Sequence, residues 1–138
     1  MRISQLRPAL VLATWTFLVW TTRLRNIWTD DALSAGDQVV RTALALTFTA
    51  FAVVVTVSWL AARRRGSVAR SAAPWVRAFA LWTAAVWVVR VVQIALADHS
   101  AAFVAVHAVL AVVSVALAVW AYRAVAGQPV IEPDPVAA

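Results

Sequence analysis

The chain has 138 residues, 64% of them hydrophobic, a mean hydropathy of +0.83 and three glycines, which leaves too little polar side chain to coat a water-soluble domain. The absence of cysteine excludes disulfides, thiolate metal sites and cysteine nucleophiles. The twelve basic residues are all arginine and give a net charge of +6. Arginine without lysine, beside abundant alanine and valine, has the character of a coding bias, so the positions of the charges carry more meaning than their sum.

A short basic lead with Arg2 and Arg7 precedes Pro8, which suits the first turn of a helix. The first apolar run extends to about Trp28. Asp30, Asp31, Ser34, Gly36 and Asp37 then mark a polar turn. A second run covers about Val39 to Ala62 and ends in Arg63, Arg64 and Arg65; with Arg70 and Arg77 these make a basic loop without an acid. The third run spans Trp75 to Ala97 and closes on Asp98, His99 and Ser100. The fourth spans Ala101 to Ala126, with Trp120, Tyr122 and Arg123 as interfacial anchors near its end. The tail from Gly127, with Pro129, Pro133 and Pro135, is expected to be disordered.

Each run has roughly 20 residues or more, enough for a helix to cross the hydrocarbon core, and none alternates polar with apolar as a barrel strand does. The expectation is an all-α integral membrane protein with four transmembrane helices. The first run alone also resembles a signal peptide. Its match to a mid-chain run argues that it is a retained span.

That match is the strongest pattern in the chain. Shifted by 67 positions, Trp15, Thr16, Val19, Trp20, Arg23, Ile27 and Asp31 fall on Trp82, Thr83, Val86, Trp87, Arg90, Ile94 and Asp98, and Asn26 falls on Gln93. A shift of 66 carries Arg41, Ala45 and Ala52 onto His107, Ala111 and Ala118. The reading is a duplication of a helical hairpin, residues 1–66 and 67–127, followed by the tail 128–138. Two hairpins of like topology are related by a pseudo-two-fold axis along the membrane normal, a parallel repeat. His107, Ala111, Ser114, Ala118 and Ala121 form one small-residue stripe, which places the second and fourth helices centrally.

With the termini and middle loop on one side, that side carries the whole net charge of +6, and the other, with Arg23, Arg25, Arg41 and Arg90 against Asp30, Asp31, Asp37 and Asp98, carries none. The basic side is therefore expected in the cytoplasm, with both termini, and the chain in the plasma membrane. Arg63, Arg64, Arg65 and Arg70 then face anionic lipid headgroups. That loop lacks the interleaved polar and aromatic readers of an RNA site, so no nucleic acid is expected.

The candidate site is Arg23, Asn26 and Asp31 with their repeats Arg90, Gln93 and Asp98, together with His107. An arginine below the end of a span is a functional candidate; the plainer reading is an ion pair of Arg90 with Asp98 or Asp31, aided by Gln93. His107 has the chemistry to ligate a metal or haem, but no second ligand is evident and a hydrogen-bonded packing role is favoured. Of the eight tryptophans, Trp28, Trp59, Trp75 and Trp120 sit where an interfacial belt requires. No catalytic motif is present, so neither enzyme activity, metal nor cofactor is expected. Two functions remain: a non-enzymatic membrane protein that works by helix packing, with itself or within a larger membrane complex, or a minimal transporter or channel built on the Arg, Asn and Gln site.

Overall fold

The computed structural model describes residues 3–65 and 72–127. Within them the chain is all-helical: a short 3-10 helix, Ile3–Leu6, and four α-helices, α1 (Arg7–Trp28), α2 (Ala35–Arg65), α3 (Ala73–Ala95) and α4 (Ala101–Ala126). The tail 128–138, Arg2 and the loop carrying Arg70 lie outside the described residues, as does the side chain of Arg65.

Local chemistry sets the ends. Pro8 and Pro74 stand in the first turns of α1 and α3, where the missing N–H has no helical partner to lose. Ser34 caps α2: its Oγ accepts from the Asp37 N–H at 3.1 Å and donates to the Asp37 carboxylate at 2.6 Å. Ser100 caps α4 by accepting from the Phe103 N–H at 3.3 Å. Inside the helices Thr14, Thr22, Thr47, Thr49, Thr56 and Thr83 each donate to the carbonyl four residues back, which satisfies hydroxyls that hydrocarbon would leave bare.

α2, α3 and α4 are long and apolar enough to cross a membrane. Only 17 to 28% of the most apolar stretch of each is buried inside the protein. Val40, Leu46, Val57, Leu81, Val106 and Val112 point outward, a continuous apolar coat that suits a membrane-embedded protein and not one in water. α1 differs. Its 22 residues match the thickness of the hydrocarbon, but with Thr21, Thr22, Arg23 and Arg25 toward its end it is not among the helices apolar enough to cross.

α1 packs along α2 and α4, α3 packs along α4, and α2 meets α3 more loosely. Each helix thus packs along two neighbours, so the expectation of a central α2 and α4 is not met; the α4 stripe does turn inward, with Ala111, Ser114, Ala118 and Ala121 all buried. The seams differ in side-chain size. α1 and α4 bury small groups, Ala9, Ala13 and Thr16 on one and the alanine and serine stripe on the other, and small groups let backbones approach. Between α2 and α3 stand rings: Phe51 stacks on Phe79 with centroids 5.6 Å apart, and Phe48 meets Trp82 at 6.1 Å. Trp20 of α1 stacks on Phe48 at 4.2 Å. These rings fill the middle of the protein.

Candidate functional site

Of the positions matched by the 67 shift, those up to Ile27 and Ile94, apart from Asn26 and Gln93, are buried or half-buried. Thr16 and Thr83 are 3% and 1% exposed, Ile27 and Ile94 are buried, and Arg23 and Arg90 are both half-buried. Trp87 is buried and Trp20 half-buried. Asn26, Gln93, Asp31 and Asp98 are exposed at the same end of the molecule, beyond or beside the last turns of α1 and α3.

Two seams fix the heights of these groups. In the first, the Trp15 indole Nε1–H donates to Ser114 Oγ at 2.9 Å, tying α1 to α4. In the second, Trp82 of α3 lies against Phe48 of α2. Eight residues beyond Trp15 comes Arg23, and seven before Ser114 comes His107; eight beyond Trp82 comes Arg90, and seven before Phe48 comes Arg41. At about 1.5 Å per residue in antiparallel helices, each pair is nearly level. One basic or titratable side chain from each of the four helices therefore stands at this end, about a turn and a half below the helix termini.

Arg23, Arg41 and Arg90 lie close enough for their positive charges to act on one another. Arg90 Nη1 donates to Gln93 Oε1 at 3.2 Å. The expected ion pair of Arg90 with Asp98 or Asp31 is absent: among the described residues no carboxylate partners Arg23, Arg41 or Arg90. Arg90 instead turns to Gln93 on its own helix, while Asp98 stands three residues past the end of α3. The other acids nearby are held by the turn: Asp30 Oδ1 accepts from the Ala32 N–H at 3.1 Å, and Asp37 is engaged with Ser34. Equal numbers of acids and bases at one end thus do not amount to pairing.

Arg41 is the residue that the sequence reading left out of the site. It sits six residues into α2, as His107 sits six residues into α4, and both mirror the position of Arg23 and Arg90 five residues before their helix ends. That regular spacing was the available signal.

His107 makes a packing contact. Its Nδ1–H donates to the Phe103 carbonyl at 2.9 Å, and its ring stacks on Phe103 at 3.9 Å, with His99 stacked on the other side at 4.3 Å. Among the described residues no three His, Asp or Glu side chains converge as a metal site would need.

At the opposite end Arg63 lies over the Trp59 ring, 4.9 Å from its centroid. Arg77 belongs to the first turn of α3, not to a loop, and its Nη2 donates to the Val125 and Ala126 carbonyls at 2.9 and 3.1 Å. A cation thus satisfies the last carbonyls of α4. Trp82 Nε1, Trp59 Nε1 and Thr42 Oγ1 are buried without a hydrogen-bond partner. No protein-family model, no curated protein and no solved structure matches the chain.

Proposed function

We propose that this is a non-catalytic four-span protein of the plasma membrane, with both termini cytoplasmic, that works by helix packing with a second copy or within a larger membrane complex. The observation that carries the choice over a transporter or channel is the ring-filled interior. Trp20, Phe48, Trp82, Phe51 and Phe79 occupy the space between the hairpins below the arginines, where a conduit would need an open or polar lining. The apolar coat of α2, α3 and α4 is the surface that lipid or partner helices would meet.

The two hairpins are read as tandem copies forming a four-helix bundle. In support, the residues matched by the 67 shift agree in exposure from Thr16 and Thr83 to Asp31 and Asp98, Trp20 and Trp87 apart. The 66 shift pairs buried Ala45, Phe48, Ala52 and Val55 with buried Ala111, Ser114, Ala118 and Ala121. The contacts correspond as well: Trp15 meets Ser114, and its repeat Trp82 meets Phe48, the repeat of Ser114. Serine in one copy and phenylalanine in the other accounts for the unpartnered Trp82 N–H. α1 is read as a span because it mirrors α3 in this way. Arg63 and Arg64, exposed at the end of α2, favour the cytoplasmic side and its anionic headgroups.

The test is reconstitution of the full chain into liposomes alongside native mass measurement in mild detergent. The expected result is no anion flux above that of empty liposomes and a particle heavier than the 14.9 kDa chain. Robust flux that vanishes in Arg90→Gln would replace this reading with the transporter.

A further inference from the structure

We infer that Arg23, Arg41 and Arg90 form a binding site for a phosphate group at the end of the molecule that carries the Asp30 to Ser34 turn. Three helices each contribute one guanidinium at this end, Arg41 and Arg90 nearly level, two of the three are half-buried, and no carboxylate among the described residues neutralises them. Such a cluster opposes folding by itself: like charges repel, and arginine below the end of a span resists dehydration. Arg90 spends one donor on Gln93, and Arg23 and Arg41 make no hydrogen bond to a described residue. Three guanidinium groups carry about fifteen N–H donors, so most are open to an external acceptor.

The chemistry of the donors selects the ligand. A planar guanidinium offers two parallel N–H groups that match a pair of oxygens on one phosphorus. A carboxylate has a single charge and a single such edge, which one arginine satisfies. A halide has no edge at all. A phosphate presents several oxygens in different directions and carries one to two negative charges, which suits donors arriving from three helices. Gln93, beside Arg90, adds an amide N–H that can reach the same oxygens without repelling them. The depth allows it: the cluster's backbone lies about 8 Å below the helix ends, inside the hydrocarbon edge, from which extended arginine side chains reach the headgroup layer. The phosphate could belong to an anionic headgroup, a diester with one charge and two unbridged oxygens that no choline neutralises, or be free in solution with more of both.

The experiment uses the full chain purified in a neutral detergent. Thermal unfolding is followed against inorganic phosphate, with sodium chloride at matched ionic strength as the reference. A second arm places the protein in nanodiscs of phosphatidylcholine with and without phosphatidylglycerol. Arg23→Gln, Arg41→Gln and Arg90→Gln each remove one charge of the cluster; Arg64→Gln removes the same charge at the far end.

The expected result is a rise in melting temperature with phosphate, with phosphatidylglycerol, or with both, beyond the matched references in the parent chain and in Arg64→Gln. The apparent affinity should weaken at least tenfold in each cluster variant. Without the ligand, each cluster variant should melt at or above the parent, because repulsion is relieved; a purely structural arginine would lower it. A rise with phosphatidylglycerol alone identifies the headgroup as the source, and a rise with phosphate alone identifies the free ion. Line broadening of the phosphate ³¹P resonance, or of the phosphatidylglycerol one, by the parent protein reads the same binding if a variant does not fold. No stabilisation in either arm, or a rise that persists undiminished in all three cluster variants, would overturn the proposal.

Discussion

Ser114 offers a sharp test of how α1 and α4 are held together. It is 2% exposed, and its Oγ accepts the Trp15 indole N–H at 2.9 Å. Ser114→Ala removes the acceptor with little change of volume and strands a donor in an apolar seam. Stranding a buried donor costs about 1–3 kcal/mol in proteins generally. Interhelical hydrogen bonds in membranes fall lower, at about 0.6 kcal/mol on average and about 1.7 at most, because a spanning chain finds other partners when the helices part. The expected loss is therefore about 1 kcal/mol. A double-mutant cycle isolates the bond, since Trp15→Phe also deletes ring contacts that have nothing to do with Ser114. Measured by reversible unfolding in mixed micelles of increasing SDS content, the cycle of Ser114→Ala with Trp15→Phe should give a coupling of about 0.6–1.7 kcal/mol. Trp82→Phe serves as the contrast, because the Trp82 N–H is unpartnered and its loss carries no hydrogen-bond component. A coupling indistinguishable from zero would refute the seam as described.

Further expectations concern charge, topology and the core. Arg90→Gln and Asp98→Asn should have additive effects on stability within about 0.3–0.5 kcal/mol in the same SDS titration, since the two side chains are unpaired; a coupling above about 1 kcal/mol would restore the ion pair. Reporter fusions after Arg65 and after Ala126 should read cytoplasmic, and alkaline phosphatase activity at either point would sink the proposed orientation. Arg77→Ala should free the last turn of α4 and cost about 1 kcal/mol or more, seen as faster amide exchange near Val125 with the middle of α4 unchanged. Phe48→Ala, at a fully buried ring that touches Trp20 and Trp82, should cost about 3–5 kcal/mol; a loss below about 1 would mean that the interior closes up without it.

Helix ends were legible because they are marked locally. The first run ends at Trp28 and the fourth spans Ala101 to Ala126 as read from hydropathy, and Ser100 and Gly127 stand at its two ends. The inward face of α4 was legible too, because small residues at helical spacing have one plausible use in lipid. Partnership was not. Trp15 and Ser114 are 99 positions apart, and periodicity gives the direction a helix faces within itself but not which neighbour it faces. Arg41 escaped for the same reason, as its companions lie on other helices. The pairing inferred from the charge balance of that end failed on geometry, since tallying charges by layer ignores the bond of Arg90 to Gln93 and the engagement of Asp30 and Asp37 with the turn.

The contrast between the two seams sets how each accepts change. Apart from Trp15, the buried side chains of α1 and α4 are mostly small, so nearly every substitution at the fully enclosed Ala13 or Ala118 must enlarge, and enlargement there forces backbone apart. Where α2 meets α3, rings can tilt or be exchanged for other rings while the helices stay in place. Saturation mutagenesis should therefore find one seam nearly intolerant and the other permissive, and variation compatible with this fold will collect on the α2 and α3 side.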